Sequence, residues 1–246
     1  TVHQRVRMWS ADQEPGPQGQ EDDDTEATVP GKPMRVERLL ANLGYGKRKE
    51  CQVLVKQGRV LRCGERLKVG DKVLHEDLTL DDETLDPAYP LTILLHKPPG
   101  YVVTAPDDEK VADPKVYDLL PYRFSSRRPF LSAVGRLDKE TSGLLLLTDD
   151  GQLVHRINSP KQSVWKIYVA RLQSPMTAEE VVAATKSFAS GTLTLQGDLH
   201  TLLPAALTML DAQTAELSIC EGRYHQVRRM FTSVGHEVVG LHRKRV

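Results

Sequence analysis

Aromatic side chains make up only 5% of the 246 residues, cysteine occurs three times, and the formal charges cancel, with 33 Lys and Arg against 33 Asp and Glu. Each scarcity removes a class of function. Aromatics are too few to interleave along a sugar-binding cleft, so glycoside hydrolysis by paired carboxylates has little to stand on beyond Asp138 and Glu140 sharing a strand face. Cys51, Cys63 and Cys220 are odd in number, far apart and without CxxC spacing, which argues against zinc and dithiol sites and predicts free thiols in a reducing compartment. No apolar run approaches the roughly 18 residues of a bilayer span. A soluble intracellular protein with no membrane partner is expected.

The cancelled charge hides an uneven distribution. Between Lys32 and Lys72 there are twelve Lys and Arg against four Asp and Glu, whereas Glu21-Asp22-Asp23-Asp24-Thr25-Glu26 is an acidic block. Local charge decides where a polyanion docks, because the released counterions come from the neutralised phosphates. Residues 1–33 are rich in Gln, Asp, Glu, Pro and Gly without aliphatic periodicity and are expected to form a disordered acidic tail. They carry no secretory pattern and are too acidic for an organellar transit peptide. The chain starts at Thr1 rather than Met, so processing or truncation is compatible with it.

From Met34 the pattern changes. Val36, Leu39, Leu40 and Leu43 recur at i, i+3, i+4 and i+7 and Gly44 follows, predicting a helix and its stop. A second short helix is predicted over 47–57, with Cys51, Leu54 and Val55 inward and Gly58 beyond its end. Strands are expected around Val60 and Val73, and 81–90 reads as an acidic linker. A strand over 91–95 then opens a larger α+β region with a mostly antiparallel mixed sheet. Its further strands are predicted at 167–172, 207–210 and 215–220. Asp149 with Gln152, and Thr177 with Glu180, fit capping boxes for helices.

The chemistry concentrates at Gly135-Arg136-Leu137-Asp138, ahead of the run Leu144-Leu145-Leu146-Leu147. Gly135 lets backbone approach a substrate closely, Asp138 offers a nucleophile or base, and Arg136 offers a planar cation for phosphate or stacking. An Asp in a turn before a core strand is more often a capping residue, but this stretch has company. It resembles the signature of the ribosomal RNA pseudouridine synthases. His96-Lys97-Pro98-Pro99-Gly100-Tyr101-Val102 resembles that family's opening strand and loop, Lys166-Ile167-Tyr168 its second motif, and Glu221-Gly222-Arg223-Tyr224-His225-Gln226-Val227-Arg228-Arg229-Met230-Phe231 its third. The Tyr-His pair in the third is closer to the small-subunit (RsuA-type) branch than to the large-subunit branches.

The resemblance implies an N-terminal alpha-L RNA-binding module over 34–80, a linker over 81–90 and a catalytic domain over 91–246. The last expected strand runs out at Val246, which suggests a truncated C-terminus. It also implies isomerisation of a specific uridine to pseudouridine in small-subunit rRNA or an assembly intermediate, by a monomer with no cofactor and no metal. In that reading Asp138 is the nucleophile, Tyr168 is a stacking wall for the uracil and a candidate base for the C5 proton, and Arg228 supplies the cation that favours the carboxylate's charged form. Arg136, Arg223, His225, Gln226, Arg229 and Lys97, with Lys47, Arg48 and Lys49 in the module, are the implied RNA contacts. Arg243, Lys244 and Arg245 are expected to remain available to RNA backbone. A bacterial cytoplasm, or a mitochondrial or plastid matrix, is the implied setting. Two alternatives stay open: a large-subunit target, and a non-catalytic rRNA-binding assembly factor.

Overall fold

The structure is a computed structural model that describes residues 32–88 and 90–246. The expected acidic tail lies outside the described residues except for Lys32 and Pro33. Packing divides the chain into two units that are each discontinuous in sequence. Among the described residues, one comprises those from Lys32 to Ile93 with Thr104–Ala133 and Leu147–Gly151, the other Leu94–Val103, Val134–Leu146 and Gln152–Val246.

In the first unit, strand β1 (Met34–Arg35) runs straight into helix α1 (Val36–Asn42), and α2 (Arg48–Lys56) follows. The predicted apolar stripe is buried, with Val36, Leu39, Leu40 and Leu43 at most 2% exposed. Gly44 ends the helix at φ +84°, and a Cβ there would overlap the Arg123 carbonyl, so both the left-handed turn and the close approach require glycine. Cys51 and Val55 of α2 complete this core.

Strands β2 (Val60–Arg62), β3 (Glu65–Arg66), β4 (Lys72–Val73), β5 (Leu78–Leu80) and β6 (Glu83–Thr84) come next. β4 pairs with β1, and the others form a sheet in the order β3-β2-β5-β6. The stretch read as a linker is therefore partly built into the fold. β6 pairs with β5, Leu85 is buried, Tyr45 Oη accepts from the Asp86 N–H, and buried Arg127 donates to the carbonyls of Pro87 and Ala88. Acidic composition suggested solvent, but the partners that fix this segment lie some forty residues away in sequence.

The remaining elements are β7 (Thr92–Lys97), α3 (Tyr122–Ser125), β8 (Ser132–Val134), β9 (Thr141–Thr148), α4 (Gly151–Asn158), β10 (Lys166–Leu172), α5 (Ala178–Ala189), β11 (Ala206–Met209), β12 (Thr214–Ile219), α6 (Gln226–Ser233) and β13 (Val238–Arg245). A seven-stranded sheet runs β11-β12-β10-β13-β9-β7, with β8 paired to β9. β10 is antiparallel to both neighbours, and β13 joins β9 in parallel. Burial alternates along β9, β10 and β12, the period-2 signature of strands with one face inward. Thr177 and Glu180 cap α5 as predicted. Asp149 makes a contact the capping reading did not foresee, accepting the Leu91 N–H at 2.5 Å.

The expectation that Arg243 is available to RNA backbone needs correction. β13 is an interior strand between β10 and β9, and Arg243 on it is 1% exposed. Lys244 pairs with Glu216 at 2.7 Å. Arg243 is therefore buried within the sheet and cannot serve as a surface RNA contact.

The second unit's helices meet through Phe188 of α5 and Phe231 of α6, at most 1% exposed and edge-on at 5.7 Å between ring centres. Phe188→Ala is expected to lower unfolding free energy by about 3–5 kcal/mol, combining lost transfer energy with a cavity. Denaturant titration of the two proteins would measure it.

Candidate active site

Asp138 lies on the loop between β8 and β9, a segment with few backbone partners of its own. Two buried cations supply them. Lys97, the last residue of β7 and 0% exposed, donates from Nζ to the carbonyls of Pro98, Lys139 and Thr141 at 3.0, 3.0 and 2.8 Å. Arg243 donates from Nε to the Leu144 carbonyl at 2.8 Å and from its two Nη atoms to those of Arg136 and Gly135 at 3.3 and 3.4 Å. The turn itself closes through the Thr141 N–H on the Asp138 carbonyl at 3.0 Å. Buried carbonyls without donors are costly, so the two cations fix this loop from both ends.

The register of the sheet builds the opposite wall. Tyr168 faces Leu217 on β12 and Arg243 on β13, and Lys166, two residues before Tyr168, projects from the same face. These residues, with Asp138, Arg136, His225 and Arg223, line a cavity of about 570 Å³. Tyr168 is 8% exposed and Lys166 6%. Burial, and then the neighbouring Arg243, pushes the Lys166 ammonium below the usual lysine range. His225 takes a left-handed backbone at φ +48°, uncommon for a non-glycine residue. Its Nε2 lies 3.4 Å from Asp138 Oδ1, and its ring stacks on exposed Tyr224 at 3.9 Å.

The expected site residues divide into groups. Asp138, Tyr168, Arg136, His225, Arg223 and Gln226 come together at the cavity. Arg228 does not line it, since its Nη1 donates to the Val238 carbonyl at 2.7 Å. Lys97 is not an RNA contact, because it is wholly buried against carbonyls. Arg223 and Arg229 both bond Asp198, at 3.0 and 2.6 Å, and donate further to the carbonyls of His200, Thr201 and Gln196. Those two guanidiniums, Arg229 foremost, hold the Asp198 carboxyl below the usual range. Gln226 is buried, donating to Glu221 at 3.0 Å and accepting from the Arg223 N–H at 2.9 Å. Lys47, Arg48 and Lys49 stand exposed at the start of α2 in the first unit. Sequence reasoning missed Lys166 and Arg243 as site residues. The first was visible as a cation in step with Tyr168, whereas Arg243 lies 75 positions further on and only strand pairing brings it close.

An acid at the mouth of a parallel β9–β13 pair, walled by a tyrosine and surrounded by cations, defines an α+β enzyme suited to a polyanionic substrate. Residues 91–233 match the RNA pseudouridylate synthase family and residues 34–78 the S4 domain. The chain belongs to the RNA pseudouridylate synthase family, and it is accordingly an isomerase. It is 38% identical to the ribosomal small subunit pseudouridine synthase A of Haemophilus influenzae, over 87% of this chain and 88% of that protein. The Escherichia coli (strain K12) protein of the same name is 36% identical over 87% and 89%. A crystal structure of a pseudouridylate synthase is 37% identical over 85% of this chain and 87% of that one, with a TM-score of 0.55.

Burial pushes the Lys97 ammonium down to about 8, opposed by the charges of Glu140 and Asp138. Between that value and the ordinary lysine range the unfolded chain binds more protons, so this group alone makes the fold more stable as pH rises. The neutral amine, however, has two N–H donors for three carbonyls. Turnover is therefore expected to fall as pH rises through about 8. In Lys97→Met the rate should be low throughout and this alkaline limb absent. A pH–rate profile of both proteins checks this, and a limb that persists in the variant assigns the titration elsewhere.

Proposed function

We propose that this chain converts a specific uridine of small-subunit ribosomal RNA to pseudouridine, with Asp138 as the reacting carboxylate. One observation carries the reading: Asp138 is the sole carboxylate among the residues lining the cavity, which also bears Arg136, Lys166, Arg223 and Arg243. Hydrolysis of a glycosidic bond needs two carboxyl groups in opposed roles. Isomerisation needs none to activate water. The N1–C1′ bond breaks, the C5–C1′ bond forms, the C5 proton leaves and N1 gains one, with no change of oxidation state. One carboxylate that engages the nucleoside, and one group that takes the C5 proton, suffice.

The surrounding residues fit these steps. A uridine must leave its stack to be reached, and in this reading the uracil rests on the Tyr168 ring while it turns and the phenol receives the C5 proton. Arg136 is exposed on the same loop and fills the space vacated in the RNA or holds an adjacent phosphate. Arg228 acts through the Val238 carbonyl at the head of β13, as a positioning residue. The small-subunit target is supported by the names of the Haemophilus and Escherichia relatives, and the S4 domain supports docking on RNA.

Purified chain incubated with a small-subunit rRNA fragment should form pseudouridine at one position. Asp138→Asn is expected to abolish product while RNA affinity stays near the parental value. Tyr168→Phe keeps the stacking surface and should lose roughly 10²–10⁴-fold in rate if the phenol moves the proton. Mapping modified positions reads the outcome. Bound RNA with no product from the unaltered chain would leave only a binding module, and product confined to large-subunit RNA would move the target.

A further inference from the structure

The first unit contains a second cavity, of about 530 Å³, that the isomerisation does not use. Its walls come from three parts of the chain: Arg38 on α1, Lys47 and Arg48 at the N-terminal end of α2, and Tyr122, Arg128 and Phe130 from the segment before β8. Four cations thus converge, with the Asp107 carboxylate in the lining and that of Glu50 alongside, where Oε2 accepts the Lys47 N–H at 2.7 Å.

The aromatic content of this cavity narrows the ligand. The Arg128 guanidinium lies over the Phe130 ring, 3.4 Å from its centre, which holds the planar head in place while the side chain stays exposed. Tyr122 is 63% exposed and offers an open ring face. In a chain with so few aromatics, two rings beside four cations mark a surface that binds more than charge. Single-stranded nucleic acid is recognised this way, with cations on the backbone and rings on the bases. A duplex would satisfy the cations but could not present a base to Tyr122. The volume lies within the roughly 300–1,000 Å³ of small-ligand pockets, ample for one nucleotide.

We propose that this cavity binds one unstacked nucleotide of the RNA substrate, its phosphate against Lys47, Arg48 and Arg128 and its base on Tyr122. It is a second RNA site, built from residues of the first unit alone, and it rests on the reading that this chain acts on RNA. Its consequence is a requirement for an unpaired nucleotide in the substrate besides the uridine that reacts.

Binding of the full chain to a small-subunit rRNA fragment, measured over a series of salt concentrations, tests the assignment. Tyr122→Ala should weaken binding about tenfold, within the range for a lost base–ring stack, and leave the slope of log affinity against log salt unchanged. Arg128→Ala should weaken binding and reduce that slope by about one, as expected for one lost phosphate contact, and Arg128→Lys should restore the slope. Tyr122→Phe should bind like the parent. Parental affinity in both alanine variants, each melting like the parent, overturns the site while leaving the isomerase reading intact. Loss of slope in Arg128→Ala with no effect of Tyr122→Ala overturns the nucleotide and leaves a phosphate contact. An unaltered chain that binds no RNA overturns the functional reading beneath it.

Discussion

The loop that carries Asp138 is held by two cations that never reach solvent. Lys97 and Arg243 come from strands at opposite ends of the second unit's sequence, and both direct their donors at backbone carbonyls between Pro98 and Leu144. Removing a charge from water is expensive unless hydrogen bonds replace its hydration. Here each cation meets three oxygen acceptors. A hydrophobic residue in either place would remove three hydrogen bonds to this part of the chain, although the Lys139 carbonyl would keep the Gly100 N–H at 2.8 Å. A displacement of about 1 Å at a reacting group can cost on the order of 10²-fold in rate, so the role proposed for Asp138 requires a rigid loop.

The same cations link the loop to the sheet. Arg243 faces Tyr168 across β10 and β13 while its backbone pairs with Gly143 on β9. A Cβ at Gly143 would overlap the Arg243 backbone, and φ there is +115°. The parallel pairing therefore depends on glycine at this one position. One strand, β13, thereby sets the aromatic wall and the carboxylate loop in register with each other.

The sequence made some of this legible and hid the rest for physical reasons. Local periodicity is written in neighbouring residues, so α1, α2, α5 and the strands at β10, β11 and β12 could be read directly. Asp138 and Tyr168 were legible because their flanking motifs resemble a known family. The destinations of long cationic side chains were not legible. Lys97, Arg223, Arg228, Arg229 and Arg243 look alike as charges in a motif, and each could end on phosphate, carboxylate or carbonyl. Which one applies depends on acceptors supplied by residues 25–108 positions away in several cases. Composition likewise concealed the ordering of 81–88, where partners from the 123–127 region supply what an acidic stretch lacks by itself.

The third motif shows what this means for RNA binding. Its arginines were read as contacts to the substrate, yet Arg223 and Arg229 converge on Asp198 and on the carbonyls of 196, 200 and 201, which ties the segment after α5 to the start of α6. A guanidinium so engaged still carries its charge, but the Asp198 and Glu221 carboxylates paired with these two arginines offset their field at the adjacent cavity. What it loses is freedom to follow a phosphate. On the proposed reading, recognition of the RNA falls instead to Asp138 and Tyr168 in one unit and to the exposed Tyr122 in the other. On that reading the sparse aromatics of this chain bear more of its specificity than its abundant arginines do.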